Sequence, residues 1–153
     1  KNSEIYLFFF KQVDSLRIQN NSSKKKIKTY LKKIRIKKKY WGEIIDLVNN
    51  KYGAIKIIYM KKNTQSSMEF HISKKENYYI EYGFIKLGIR YARAINGLIN
   101  LKKNNSYLMK PGTIHMRMAS ENSKIIEMST RDSDNDSIIV HDGKNYKFQV
   151  GKC

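Results

Sequence analysis

From residue 40 onward the chain reads as a succession of short runs rich in isoleucine, tyrosine, valine and methionine, each closed by a turn signal. The runs cover residues 44–48, 54–60, 67–72, 78–82, 85–91, 97–101, 106–109, 115–119, 124–130, 137–141 and 146–150. Between them lie Asn49-Asn50, polar clusters at 61–64, 73–75, 102–105, 120–123, 132–136 and 142–144, and Pro111-Gly112. A chain interrupted this often cannot build long helices. Many short strands at even spacing predict a sandwich or a barrel. The length, 153 residues, suits one domain with a real core, and no internal repeat of fixed period is evident. The single cysteine is the last residue, Cys153, which leaves no internal disulfide framework and no cysteine metal cluster. A reducing, cytoplasmic setting is expected on that basis. The apolar patch at residues 5–10 is too short to span a bilayer, and Lys11 follows it directly. It also lacks the small-residue cleavage site of a signal peptide.

Charge is the second constraint. Lys and Arg number 31 against 13 Asp and Glu, a net charge of +18. One reading is a polyanionic partner; the other is a composition rich in Lys, Asn and Ile, whose codons are A/T-rich. The excess concentrates at residues 24–39, where Ile27, Tyr30, Leu31 and Ile34 are spaced as one apolar stripe of a helix. Residues 1–39 therefore read as a basic N-terminal arm with a helical segment, and residues 40–153 as the β domain. The expectation for the arm is packing on the domain or solvation; nucleic acid or an anionic membrane is the alternative partner.

Chemistry concentrates around two histidines. Strand side chains alternate, so Glu69 and His71 share a face. Glu76 follows after a short turn and shares its face with Tyr78, Ile80 and Tyr82. His115 opens a later run, and Arg117 lies two residues on, on the same face. Two imidazoles and two carboxylates match the ligand preferences of Mn, Fe, Co, Ni or Zn, and the absence of thiolates disfavours a purely structural zinc. The same residues also fit a solvated strand face. Arg117 suits a bidentate contact with a phosphate, or a salt bridge at a barrel mouth. Lys74 and Lys75 sit in the turn between two candidate ligands. Trp41 reads as core, and His141 as structural or exposed.

Residues 67–83 read Ser-Met-Glu-Phe-His-Ile-Ser-Lys-Lys-Glu-Asn-Tyr-Tyr-Ile-Glu-Tyr-Gly. This resembles the first cupin motif, in which a ligand, a spacer, a histidine and then a glutamate lead to a glycine turn. Residues 111–115, Pro-Gly-Thr-Ile-His, resemble the second motif. Tyr40-Trp41-Gly42-Glu43, Ala54-Ile55-Lys56 and the stretch from Ile125 to Thr130, with Val140-His141-Asp142 after it, are similar to the flanks of type II mannose-6-phosphate isomerase cupin domains. Where those domains close with Tyr-Gly-Arg, this chain has Gly143-Lys144-Asn145-Tyr146-Lys147.

The resemblance implies an all-β double-stranded β-helix and a divalent metal held by Glu69, His71, Glu76 and His115. It also implies a sugar or sugar-phosphate ligand contacted by Arg117, Tyr78, Tyr82 and Lys74, and a homodimer. Two functions follow from it: a metal-dependent sugar-phosphate isomerase, or a non-catalytic cupin that binds a sugar or small molecule while its basic arm contacts a polyanion.

Overall fold

The computed structural model describes residues 34–92, 95–130 and 132–152. The chain divides into two units, and the second, Ile34–Cys153, carries the described fold. It is all β. Thirteen strands run β1 (Arg35–Lys39), β2 (Gly42–Asn50), β3 (Gly53–Met60), β4 (Thr64–Gln65), β5 (Met68–His71), β6 (Glu76–Tyr82), β7 (Phe84–Ala92), β8 (Ile95–Lys102), β9 (Ser106–Met109), β10 (Ile114–Ala119), β11 (Ser123–Ser129), β12 (Ser137–His141) and β13 (Gly151–Lys152). One sheet has the order β1-β2-β3-β11-β6-β9; the other has β12-β5-β10-β7-β8-β13, with β4 beside β10. All pairings are antiparallel, and consecutive strands often lie in different sheets, as in a double-stranded β-helix. Among the described residues no helix is long and apolar enough to cross a membrane.

Alternation decides what enters the barrel. On β3, Ala54, Lys56, Ile58 and Met60 are buried while their neighbours are less so. The inward positions are graded along each strand. At one end they are apolar: Ile58, Ile80, Ile85 and Ile125 are fully buried. At the other end they are Lys56, Glu76, His115 and Glu127, also buried. The apolar end supplies cohesion, about 1.5–3 kcal/mol for each fully buried aliphatic side chain. The polar end is the site. Trp41, in the turn between β1 and β2, belongs to the core cluster.

Two glycine turns shape the ends. Gly83, between β6 and β7, has φ +89°, and a Cβ there would meet Ser123 Oγ at 2.2 Å. Only glycine tolerates that combination. Gly112 has φ +75° with open space around it, so there the backbone conformation alone selects glycine. Its N–H donates to the His71 carbonyl at 2.7 Å, which ties the Pro111-Gly112 turn to the strand bearing two candidate ligands.

Two expectations differ. Residues 35–39, read as the end of a helical arm, form β1, paired along its length with β2 from Arg35 opposite Asp46 to Lys39 opposite Gly42. Lysine-rich edge strands are well tolerated because they resist further pairing. Ile34 is exposed, and the rest of the proposed stripe, Ile27, Tyr30 and Leu31, lies outside the described residues. Residues 146–150 form no strand. Their polar groups are taken by side chains: Gln65 Nε2 donates to the Tyr146 carbonyl at 2.7 Å and Asn96 Nδ2 to the Gln149 carbonyl at 3.0 Å. The Phe148 ring lies against Gly88, where a Cβ would come within 2.6 Å of it. Met116, paired with Gly88 on the outer face, is fully buried.

Candidate metal centre

β5 and β6 deliver Glu69, His71 and Glu76 to the lining of one cavity of about 290 Å³, and β10 places His115, fully buried, against Glu76. His115 stands opposite Glu69 across the β5–β10 pairing. Donor atoms of Glu69, His71 and His115 all lie within 4.8 Å of one another. Glu76 sits between the imidazoles: its Oε1 is 3.1 Å from His71 Nε2, and its Oε2 is 3.4 Å from His115 Nε2. Both histidines and Glu76 are buried, and the two rings are 5.7 Å apart.

The far ring nitrogens set the orientation. His115 Nδ1 lies 3.0 Å from the Thr113 carbonyl, which can only accept, so Nδ1 carries the proton and Nε2 presents a lone pair inward. Burial also holds the His115 pKa below its usual value, although Glu76 and Glu69 oppose this. A lone pair on His115 and a carboxylate oxygen of Glu76 thus face each other. That arrangement suits a cation between them, and an outer hydrogen bond on the distal nitrogen is the usual support of a metal-ligating histidine. Ser137 Oγ lies 3.0 Å from His71 Nδ1 and supports that ring from its distal side. These residues fit a divalent metal.

Cations surround the carboxylates. Arg117 Nη2 meets Glu69 Oε1 at 2.7 Å, and Nη1 reaches Tyr78 OH at 3.3 Å and Glu127 Oε2 at 3.8 Å. The guanidinium also lies 5.5 Å from the Tyr78 ring centroid and 5.9 Å from that of Trp41, within cation–π range. Tyr78 donates to Glu76 Oε2 at 2.8 Å and stands 3.2 Å from His115 Nε2. Burial raises the Tyr78 pKa, so the hydroxyl stays protonated and remains a donor. Lys74 Nζ is 2.6 Å from Glu76 Oε1, 2.9 Å from Asp132 Oδ1 and 3.4 Å from Glu127 Oε1. The turn that presents it is pinned by Asp136, which accepts from the backbone N–H of Ser73 and Lys74, both at 2.9 Å.

Three members of the cluster were not among the sequence candidates: Lys56, Glu127 and Asp132. Lys56 Nζ meets Asp132 Oδ2 at 2.8 Å and Glu127 Oε1 at 3.6 Å. The available signal was a charged residue at an inward position of an otherwise apolar strand, at Lys56 on β3 and Glu127 on β11. With neutral imidazoles, the carboxylates Glu69, Glu76, Glu127 and Asp132 exceed the cations Lys56, Lys74 and Arg117 by one charge. Burial raises the Glu127 pKa and the Glu76 charge adds to this, against Lys56, Lys74 and Arg117. Glu76 is driven the other way: burial raises its pKa, and His71, Lys74 and His115 together outweigh that.

Tyr82 stands apart. The alternation from Glu76 and Tyr78 points to it, but it lies at the far end of β6, about 20 Å along the strand from Glu76. There the pairing with β11 is irregular and the side chain is 44% exposed. It takes no part in the metal-site cavity.

Asp132 provides a test of the network. Burial pushes its pKa up, but the hydrogen bonds from Lys56 and Lys74 win and lower it from 3.8 to about 2. A carboxylate depressed in the folded state contributes stability above its unfolded pKa and loses it as pH falls through the folded one. Urea unfolding should therefore show a loss of about 2 kcal/mol between pH 4 and pH 2 that is missing from Asp132→Asn. An unchanged pH profile in the variant would remove Asp132 from the ion network.

No family model matches the sequence, and no curated protein matches it. Solved structures do. The capsular polysaccharide assembling protein CapF from Staphylococcus aureus superposes with a TM-score of 0.64 at 12% identity, over 73% of this chain and 35% of that one. The chain has the cupin fold. Oxalate decarboxylase from Bacillus subtilis gives 0.62 at 15% identity over 70% of this chain and 30% of that one. The described chain thus spans about a third of the length of these two proteins. KdgF from Halomonas sp. gives 0.57 at 10% identity over 68% of this chain and 90% of that one.

Proposed function

We propose that this cupin binds a divalent metal through Glu69, His71, Glu76 and His115 and acts on a sugar or sugar phosphate, with aldose–ketose isomerisation as its reaction. The carrying observation is the pair of inward imidazole nitrogens facing Glu76. The mannose-6-phosphate isomerase-like flanks and the likeness to the capsular polysaccharide assembling protein CapF support the substrate class. A bound metal would supply Lewis-acid polarisation of the carbonyl and hydroxyl oxygens.

The chain's own residues do the rest. Isomerisation moves a proton between adjacent carbons and needs a general base that is not a metal ligand. Glu127 is such a group: it lines the cavity, and burial raises its pKa toward working pH. Lys56, Lys74 and Arg117 would stabilise its charged form after it gives the proton back. Tyr78 holds Glu76 and, with Arg117, closes the floor. The reading places the protein in the cytoplasm, where such substrates are made and used.

The test is metal content of the purified protein by plasma mass spectrometry, beside a His71→Ala/His115→Ala double variant. Near-stoichiometric metal in the parent and its loss in the variant is the expected result. Turnover is then followed with mannose 6-phosphate and fructose 6-phosphate. No metal in either protein after loading with Mn, Co, Ni or Zn defeats the proposal.

A second reading has its own observation. Lys74 already sits on the Glu76 oxygen that faces His71, as a cation would. A metal-free cupin that binds a sugar or small molecule without chemistry follows from that, and the same measurement separates the two.

A homodimer is proposed as well. On the outer face of the first sheet, Val48, Ile55, Met128 and Leu108 fall in one row across β2, β3, β11, β6 and β9, interrupted at Asn77. All four are at least 36% exposed. Exposed apolar rows of this kind mark interfaces. Sedimentation equilibrium should give twice the chain mass, and Met128→Lys should shift it toward the monomer. A parent that sediments as a monomer would sink the dimer.

A further inference from the structure

The metal-site cavity neutralises almost all of its own cations. Lys56, Lys74 and Arg117 have the carboxylate partners described above, and Lys37 Nζ meets Asp46 Oδ2 at 3.5 Å. A cation already held by a buried carboxylate has little left to offer an anionic ligand. The unneutralised lysines lie elsewhere.

They line a second cavity of about 520 Å³ toward the apolar end of the barrel, bordered by Lys38, Lys39, Lys61, Glu43, Tyr59 and Tyr82. None of the three lysines has an ion pair among the described residues. Glu43, the one acid of the six, leaves a surplus of two positive charges. The convergence is a product of the fold. β1 brings Lys38 and Lys39 beside β2, and the Lys61 N–H donates to the Trp41 carbonyl at 2.8 Å, which holds the end of β3 against the β1–β2 turn. The aromatic wall is also set by register: Lys124 pairs with Tyr59 on one side and Tyr82 on the other. Lys124 is occupied, 2.5 Å from Glu81 and 5.7 Å from the Tyr59 ring centroid. Tyr82 is 44% exposed and open to a stacking partner.

We infer that this second cavity binds a nucleoside diphosphate, its phosphates held by Lys38, Lys39 and Lys61 and its base stacked on Tyr82. Two surplus positive charges match a group carrying more than one negative charge, which a neutral sugar would not satisfy. Stacking of a base on an exposed tyrosine contributes without demanding a particular base. The site is separate from the metal centre and stands whether or not that centre is catalytic. Lys39 borders both cavities, so the discriminating variants avoid it.

Isothermal calorimetry of the full chain with ADP at low salt tests the inference, with adenosine and pyrophosphate as partial probes. ADP should bind once per chain, each partial probe about tenfold or more weaker. Lys38→Gln/Lys61→Gln should weaken ADP about tenfold or more, and Tyr82→Ala about fivefold or more. These side chains are exposed or at the rim, and circular dichroism of each variant verifies folding. His71→Ala/His115→Ala should bind ADP as the parent does. No ADP binding up to about 1 mM overturns the inference. So does ADP binding lost in the histidine variant but kept in the lysine variant, since it places the nucleotide at the metal centre. Pyrophosphate equal to ADP overturns the stacking on Tyr82. A single-stranded RNA oligomer that binds where ADP does not overturns the nucleotide in favour of a polyanion.

Discussion

Arg117→Met should unfold at a free energy about 3–5 kcal/mol below the parent, because it strands buried carboxylates without their partner. Arg117 is 4% exposed and bridges Glu69, Tyr78 and Glu127. Burial alone would lower its pKa; Tyr78, Glu69 and Glu127 more than reverse this, so it stays charged at any usable pH. Removing it leaves Glu69 and Glu127 to repel each other and Glu76. For a domain of this size the loss corresponds to a melting shift of roughly 10–20 °C. The double variant Glu69→Met/Arg117→Met should recover part of it, since removing both members of a pair costs less than removing one. Denaturant unfolding of the parent, both single variants and the double variant supplies the coupling. A single variant within about 1 kcal/mol of the parent would mean the guanidinium is solvated and its ion pairs contribute little.

Glu127→Gln carries the largest functional effect. If Glu127 moves the proton, kcat should fall about 100-fold or more, the range over which a positioned acid–base group acts. Metal content should remain that of the parent, because Glu127 is not a ligand candidate. The substitution keeps the shape and removes the charge facing Lys56, Lys74 and Arg117. Unfolding measured alongside separates a lost proton carrier from a disturbed ion network. A variant with parental kcat would return the proton transfer to another group, with Glu69 next in line if it proves not to bind the metal. Parallel loss of metal and activity would instead make Glu127 a positioning residue, acting through Lys74 on Glu76.

The histidines, two carboxylates and the Pro-Gly turn were legible in the chain, since strand alternation and turn chemistry act over a few residues. Glu69 and His71 share a face because they are two apart on β5. Gly112 is needed wherever its backbone turns, whatever lies around it. The strands at 106–109 and 137–141 were readable for the same reason. The 146–150 run was not, because its fate depends on Gly88, Gln65 and Asn96, which meet it from across the fold.

Charge partnership is a tertiary property. In the sequence Arg117 reads as a phosphate contact or a salt bridge, and Lys74 as a turn lysine or a ligand contact; the fold places Glu76, Glu69, Glu127 and Asp132 against them. Glu127 lies 51 residues after Glu76, and only the pairing of β11 with β6 brings Glu127 opposite Tyr78. Tyr82 falls on the inward alternation in the sequence, but it lies at the far end of β6, where the register slips beside Lys124 and leaves the side chain exposed. The sequence by itself determined the strands, the turns and the ligand-type residues, all set by local backbone geometry. The tertiary structure alone decided which charges neutralise one another and which lysines remain unpaired, because electrostatic energy depends on spatial separation and burial, and neither is written in chain order.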